Sequence, residues 1–145
     1  MEAVLAEATL MAPLETGGML LGYRAGGAVV VQAVTGPGPD AKHHRAHFES
    51  DADWQQRELE LIYEASGRVT TYLGDWHTHP SAPPIPSRRD RRTAQKVART
   101  KEARSPTPLT AILGDAMDSV ACVRLYEYRE HQFRELGLTV FRTSA

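Results

Sequence analysis

Four prolines fall within seven residues, at Pro80, Pro83, Pro84 and Pro86. Proline fixes φ near −65° and lacks a backbone N–H, so neither a helix interior nor a central strand can run through this stretch. The chain must therefore be two separate elements joined by a stiff loop. Before the loop, the apolar run Val69–Leu73 continues into Gly74-Asp75-Trp76-His77-Thr78-His79 and reads as a buried strand. After it, Ser87 opens a basic helix that is expected to run to about Arg104. Ser87-Arg88-Arg89-Asp90 fits a Ser-x-x-Asp capping arrangement. A rigid loop then sets the distance between the strand end and the first helical turn.

The remaining elements follow from periodicity. Val4, Leu5, Ala8 and Met11 share a face over residues 2–11, a short amphipathic helix ended by Pro13. Met19–Tyr23 and Ala28–Val34, joined by Ala25-Gly26-Gly27, read as a hairpin. Gly36-Pro37-Gly38-Pro39 breaks the chain. A second helix starts near Ser50 or Asp51, buries Trp54, Leu61, Ile62 and Ala65, and stops at Gly67. Three strands follow at Leu109–Leu113, Val120–Tyr128 and Phe133–Phe141. Helices and strands mixed in this way predict an α/β fold, a mixed central sheet with helices packed against it. The 145 residues make one domain, 1–145.

Charge and cysteine content narrow the function. With 17 Lys and Arg against 18 Asp and Glu, net charge −1, there is no global case for nucleic acid or for an anionic membrane. No apolar run reaches the roughly 18 residues of a membrane span, and Glu2 and Glu7 do not suit a secretory leader. Cys122 is the one cysteine. It permits no internal disulfide and no Cys-rich zinc site, and the chain is expected in the cytoplasm. A deaminase of the Pro-Cys-x-x-Cys type is rejected on the same ground. Cys122 itself reads as a small core residue. Any metal must be held by His and carboxylate.

His77 and His79 stand two apart on an extended strand and so point to one side. Two imidazoles converging there suit zinc, although on this spacing alone a pair of surface histidines is the simpler reading. Asp90 is a cap acid that a pinned helix turn could also aim at a metal. With His77 and His79 it would make the three protein ligands that catalytic zinc usually has. Glu15, in Glu15-Thr16-Gly17-Gly18, is either a turn acid in solvent or the general base for an activated water.

His77-Thr78-His79-Pro80, with seven residues between His79 and Ser87 and two between Ser87 and Asp90, and with an upstream Glu before a Gly-Gly pair, resembles the JAMM motif of MPN/JAB-domain metallopeptidases. The resemblance implies a three-layer, cytidine-deaminase-like α/β fold with helices flanking a mixed sheet. It implies one Zn2+ per chain on His77, His79 and Asp90. It implies Glu15 as general acid/base and Ser87 as hydrogen-bond donor to a developing oxyanion, a role that competes with capping. Gly36-Pro37-Gly38-Pro39 and Gly74-Asp75-Trp76-His77-Thr78-His79-Pro80 are similar to small stand-alone bacterial JAB proteins, some of which accompany ubiquitin-like conjugation genes in antiphage operons. The implied substrate is a ubiquitin-like protein cut after its C-terminus. Alternatives are processing of a sulfur-carrier protein and a non-catalytic MPN scaffold. Oligomeric state is left open.

Other features are read more plainly. His43, His44 and His47 are read as a surface loop, with a substrate-contacting loop next and a second metal site set aside. The eight Lys and Arg of residues 88–104 read as a solvated helix face, with an acidic protein partner as the alternative. Trp76 reads as core. Asp75 is read as turned away from His77 and is given no role.

Overall fold

The structure, a computed structural model, describes residues 1–115 and 121–141. Helix α1 (Glu2–Met11) leads into the hairpin β1 (Gly17–Ala25) and β2 (Ala28–Val34). A two-residue-strand hairpin, β3 (Lys42–His43) and β4 (Phe48–Glu49), precedes α2 (Ala52–Ala65) and β5 (Thr71–Thr78). The proline loop leads to α3 (Arg88–Arg99), a 3-10 turn at Lys101–Ala103, and then β6 (Leu109–Asp115), β7 (Ala121–Arg129) and β8 (Gln132–Leu136).

Six strands form one sheet in the order β2-β1-β5-β6-β7-β8. Only the β5–β6 pair is parallel, and the proline loop and α3 make the crossover that a parallel pair requires. The mixed α/β sheet predicted above is therefore what forms. On one face, Leu20, Leu73, Trp76, Leu109, Leu113 and Leu125 pack with Val4 of α1. Burying each such side chain contributes roughly 1.5–3 kcal/mol. Met19, Leu21 and Ile112 alternate with these residues and are buried on the opposite side. There α2 and α3 flank a cleft floored by Met19, Tyr72 and Asp75. The layers are α1, sheet, and α2 with α3.

Local chemistry explains the element ends. Asp51 caps α2, its carboxylate accepting from Trp54 N at 3.0 Å. Gly26 and Gly27 hold φ of 57° and 79° in the β1–β2 turn, a region open to glycine. The loop at 80–86 is stiff as expected. His79 N donates to Leu113 O at 2.8 Å, Asp115 N to Ala82 O at 2.8 Å, and the Tyr126 hydroxyl to Pro84 O at 2.7 Å.

Several expectations need correction. The basic helix ends at Arg99, because Thr100 turns extended (ψ 110°) before the 3-10 turn. The buried side of α2 centres on Gln55, whose amide donates to Gly36 O and accepts from Thr35 Oγ1, while Leu61 is 65% exposed and Ala65 is also exposed. Val69 is exposed and precedes β5. β8 stops at Leu136, the last residue with a partner on β7, so the apolar residues Leu138, Val140 and Phe141 are exposed. Cys122 lies on β7 but is only half-buried. Val120 lies outside the described residues. Among the described residues no helix is long and apolar enough to cross a membrane.

Candidate metal centre

The register of β1 against β5 assembles the site. Gly17 pairs with His77. One residue beyond the strands, Thr78 N donates to Thr16 O at 2.9 Å and Thr16 N to Thr78 Oγ1 at 3.0 Å. Continuing this antiparallel pairing sets Glu15 beside His79. The β3–β4 hairpin holds Glu15 from the other side. Glu15 N donates to His44 O at 2.7 Å, and His43 Nδ1 lies 2.9 Å from Glu15 O. A Cβ on Gly17 would overlap the Trp76 carbonyl and the Phe48 ring, so the close approach of this hairpin requires glycine there.

His77 and His79 project from the end of β5 to the same side. His77 Nε2 lies 3.0 Å from His79 Nε2 and 3.0 Å from Asp90 Oδ1, and His79 Nε2 lies 3.4 Å from Asp90 Oδ2. Donor atoms about 2.0–2.1 Å from a tetrahedral ion are about 3.3 Å from one another, so this triangle fits one such ion. His79 Nδ1 is 3.2 Å from Pro83 O. A proton on Nδ1 would donate to that carbonyl and leave the Nε2 lone pair facing the centre, the outer contact that metal-binding imidazoles commonly have. Two imidazoles and the Asp90 carboxylate around one point, with Glu15 lining the same end of the cleft, also suit a cation. Among the described residues this is the one group of three or more His, Cys and acidic side chains so arranged.

Electrostatics agree with the geometry. Burial pushes the Glu15 carboxyl above its ordinary pKa, and His77 and His79 pull it part of the way back. Burial also opposes ionisation of Asp90, but the hydrogen bonds from His77 and His79 outweigh it and hold Asp90 well below the usual carboxylate range. Burial works against protonation of His79, and Asp90 overcomes it and raises its pKa.

Ser87 and Asp90 form a full capping box at the start of α3. Asp90 N donates to Ser87 Oγ at 3.2 Å, and Ser87 N donates to Asp90 Oδ2 at 2.6 Å. The cap therefore also orients the carboxylate of the triad. The cap uses Ser87 Oγ only as an acceptor. A hydroxyl has one donor hydrogen besides its acceptor lone pairs, so capping and donation are compatible here. The competition expected between them does not arise.

The centre opens into a cleft of about 470 Å³ between α2 and α3, lined by Glu15, His77, Arg89 and Asp90 at this end. Asp75 lies in its floor, on the same side as His77, which corrects the expectation that it turns away. Residues 75 and 77 are two apart on one strand and share a face. The Tyr72 hydroxyl donates to Asp75 Oδ2 at 2.8 Å. Burial raises the Asp75 carboxyl to about 6 against that hydrogen bond and the nearby His77. Trp76 is 2% exposed, in the core as expected, with its indole N–H donating to Thr35 O. Thr16, Thr78 and His43 as positioning groups were not foreseen. The His-x-x-His character of the 43–47 stretch hinted at function, but its ordered role is backbone support of Glu15.

A sheet end that presents two imidazoles to a helix-borne carboxylate, with a glutamate alongside, defines the class of JAMM metallohydrolases. Comparison with known proteins agrees. The family described as prokaryotic homologs of the JAB domain matches residues 1–126. A protein of Sinorhizobium fredii named probable metalloprotease y4qB is 44% identical over 115 residues, covering 77% of this chain and 70% of that protein. A CD-NTase/cGAS isopeptidase of Escherichia coli is 36% identical over 73 residues, 50% of this chain and 47% of that protein. A Pseudomonas aeruginosa protein of the same name is 32% identical over 100 residues, 69% of this chain and 63% of that one. The match thus spans about half the length of the Escherichia coli relative. The solution structure of protein DSY2949 from Desulfitobacterium hafniense superposes with a TM-score of 0.70 at 25% identity, covering 94% of this chain and 84% of that one. This chain belongs to the prokaryotic JAB family and carries the site of a JAMM hydrolase.

Proposed function

We propose that this chain is a zinc-dependent peptidase or isopeptidase that cleaves the bond after the C-terminus of a ubiquitin-like protein. The observation that carries the reading is the triangle of His77, His79 and Asp90 with Glu15 held beside it. The nitrogen-and-carboxylate donor set and its spacing suit zinc. A divalent ion held there supplies Lewis acidity, polarising the scissile carbonyl and lowering the pKa of water from about 15.7 toward about 7.

The chain's own groups do the rest. Glu15 takes the proton of the attacking water and delivers it to the leaving amine. Its raised pKa suits a group that must both accept and release a proton. The Ser87 hydroxyl donates to the oxygen on which negative charge develops. The open cleft next to the centre leaves room for an extended protein tail. Relatives named metalloprotease and CD-NTase/cGAS isopeptidase support a protein substrate.

Zinc-loaded protein should be offered C-terminal fusions of ubiquitin-like proteins. Cleavage after the ubiquitin-like C-terminus is expected, with Glu15→Ala slower by about 10²–10⁴-fold. Cleavage by Glu15→Ala at the wild-type rate removes Glu15 from the mechanism. No cleavage of any fusion removes the substrate assignment.

A further inference from the structure

Besides Arg91, helix α3 carries five exposed cations, Arg88, Arg89, Arg92, Lys96 and Arg99. Four of them, at 88, 92, 96 and 99, follow the i+4 and i+3 spacing that stacks side chains along one side of a helix. The ridge is about 16 Å long at about 1.5 Å per residue. Among the described residues none of these five has an ion-pair partner. Arg91, on the same helix, is different. It donates to His131 O at 2.9 Å and lies over the Phe133 ring at 5.6 Å, so although exposed it is engaged by groups of the fold itself.

The ridge works against the helix that bears it. Arg88 and Arg89 sit in the first turn, where the helix dipole disfavours cations. The pairs 88/92 and 92/96 put like charges four residues apart, which is also destabilising. Asp90, the acid of the first turn, is already engaged by Ser87 N and the two imidazoles. Arg89, next in sequence to the first residue of the ridge, lines the cleft with Glu15 and Asp90.

We propose that this ridge docks an acidic surface of the protein substrate, steering the scissile bond into the cleft. The proposal rests on the reading of the chain as a protein-cleaving enzyme. A nucleic acid fits less well. α3 has no aromatic residue for base stacking, and the chain as a whole has net charge −1.

The test uses the zinc-loaded full chain and its Arg92→Glu/Lys96→Glu variant. Both positions are exposed, and Arg92→Gln/Lys96→Gln serves as a milder control. Fluorescence anisotropy measures binding of labelled deca-glutamate, a neutral Gly-Ser decapeptide and deca-thymidylate. Deca-glutamate is expected to bind best, to weaken as salt rises from about 50 to about 300 mM, and to bind the charge-reversed variant about tenfold less tightly or worse. On a ubiquitin-like fusion the same variant should raise KM with kcat unchanged. Equal binding of the acidic and neutral peptides, or an unaffected KM, overturns the proposal. Tighter binding of deca-thymidylate assigns the ridge to nucleic acid instead and also overturns it. The binding arm needs no turnover, so a chain that binds deca-glutamate but cleaves no fusion refutes the proposed function and leaves the ridge standing.

Discussion

Thr16 and Thr78 are locked to each other by two hydrogen bonds, Thr78 N to Thr16 O and Thr16 N to Thr78 Oγ1, and this lock sets Glu15 beside His79. Both threonines are nearly fully buried, at 0% and 4% exposure, so neither N–H can turn to water instead. Thr78→Val leaves the Thr16 N–H without its partner and should cost about 1–3 kcal/mol of stability. Activity should fall further than metal content, because the substitution moves Glu15 rather than a ligand. Thr78→Ser restores the acceptor and should recover both. Thermal unfolding read beside turnover checks this, and an unchanged Thr78→Val enzyme would contradict the lock.

Ser87 has two separable functions. Ser87→Ala removes the acceptor of the capping box and should cost about 1 kcal/mol. It should also cost about 10²-fold in kcat through the lost donor. Ser87→Asp restores a capping acceptor but not the donor. Its stability should return toward wild type while kcat stays low. Recovery of kcat in Ser87→Asp would show that the cap alone matters.

The approach of β4 to the metal-bearing strand depends on Gly17. Gly17→Ala should destabilise by about 1–3 kcal/mol through overpacking. Trimming Phe48 to Ala in the same chain should not rescue it, because the Trp76 carbonyl is backbone and cannot move aside. Full rescue by the double variant would mean that the Phe48 ring was the sole obstacle.

These predictions turn on contacts of different range, and range decides what was legible beforehand. The triad positions carry local signals, and the resemblance to the JAMM motif singled them out as ligands. The period of a strand puts His77 and His79 on one side and a cap places Asp90 after a stiff loop, but neither pattern by itself sets a metal site above surface histidines and a cap acid. Glu15 required a pairing register some 60 residues away in sequence, as the Thr16–Thr78 bonds span 62 positions. The β3–β4 hairpin has two-residue strands, too short for any periodic signal, so the clamp of His43 and His44 on Glu15 stayed hidden. Gln55 is buried and Leu61 exposed because Thr35 and Gly36 offer partners to an amide at that point, which hydrophobic periodicity does not register. Beyond Leu136 the apolar letters continue, but no strand remains to pair with them. The side taken by Asp75 could have been read from strand alternation alone.

Acid should weaken one long-range tie in particular. Arg24 bonds Glu127 at 2.7 Å across the sheet, and Arg129 adds a second contact at 3.2 Å. Burial alone would raise the Glu127 pKa, but the two guanidinium groups outweigh it and hold it below the ordinary value. A folded pKa below the unfolded one stabilises above the unfolded carboxylate range and is lost as pH falls through the folded value. Arg24→Ala should therefore cost about 1 kcal/mol at neutral pH, a modest figure for a half-exposed arginine. The gap from wild type should close in acid below that range. A difference constant from pH 7 into strong acid would contradict the assignment.

The metal content of the purified chain tests the central claim most directly. Protein prepared without added metal should carry about one zinc per chain by elemental analysis. His77→Ala/His79→Ala should lose it while keeping the fold, and chelation should abolish cleavage until zinc is returned. Wild-type protein that is metal-free yet fully active, or a double variant that retains its zinc, would contradict the account.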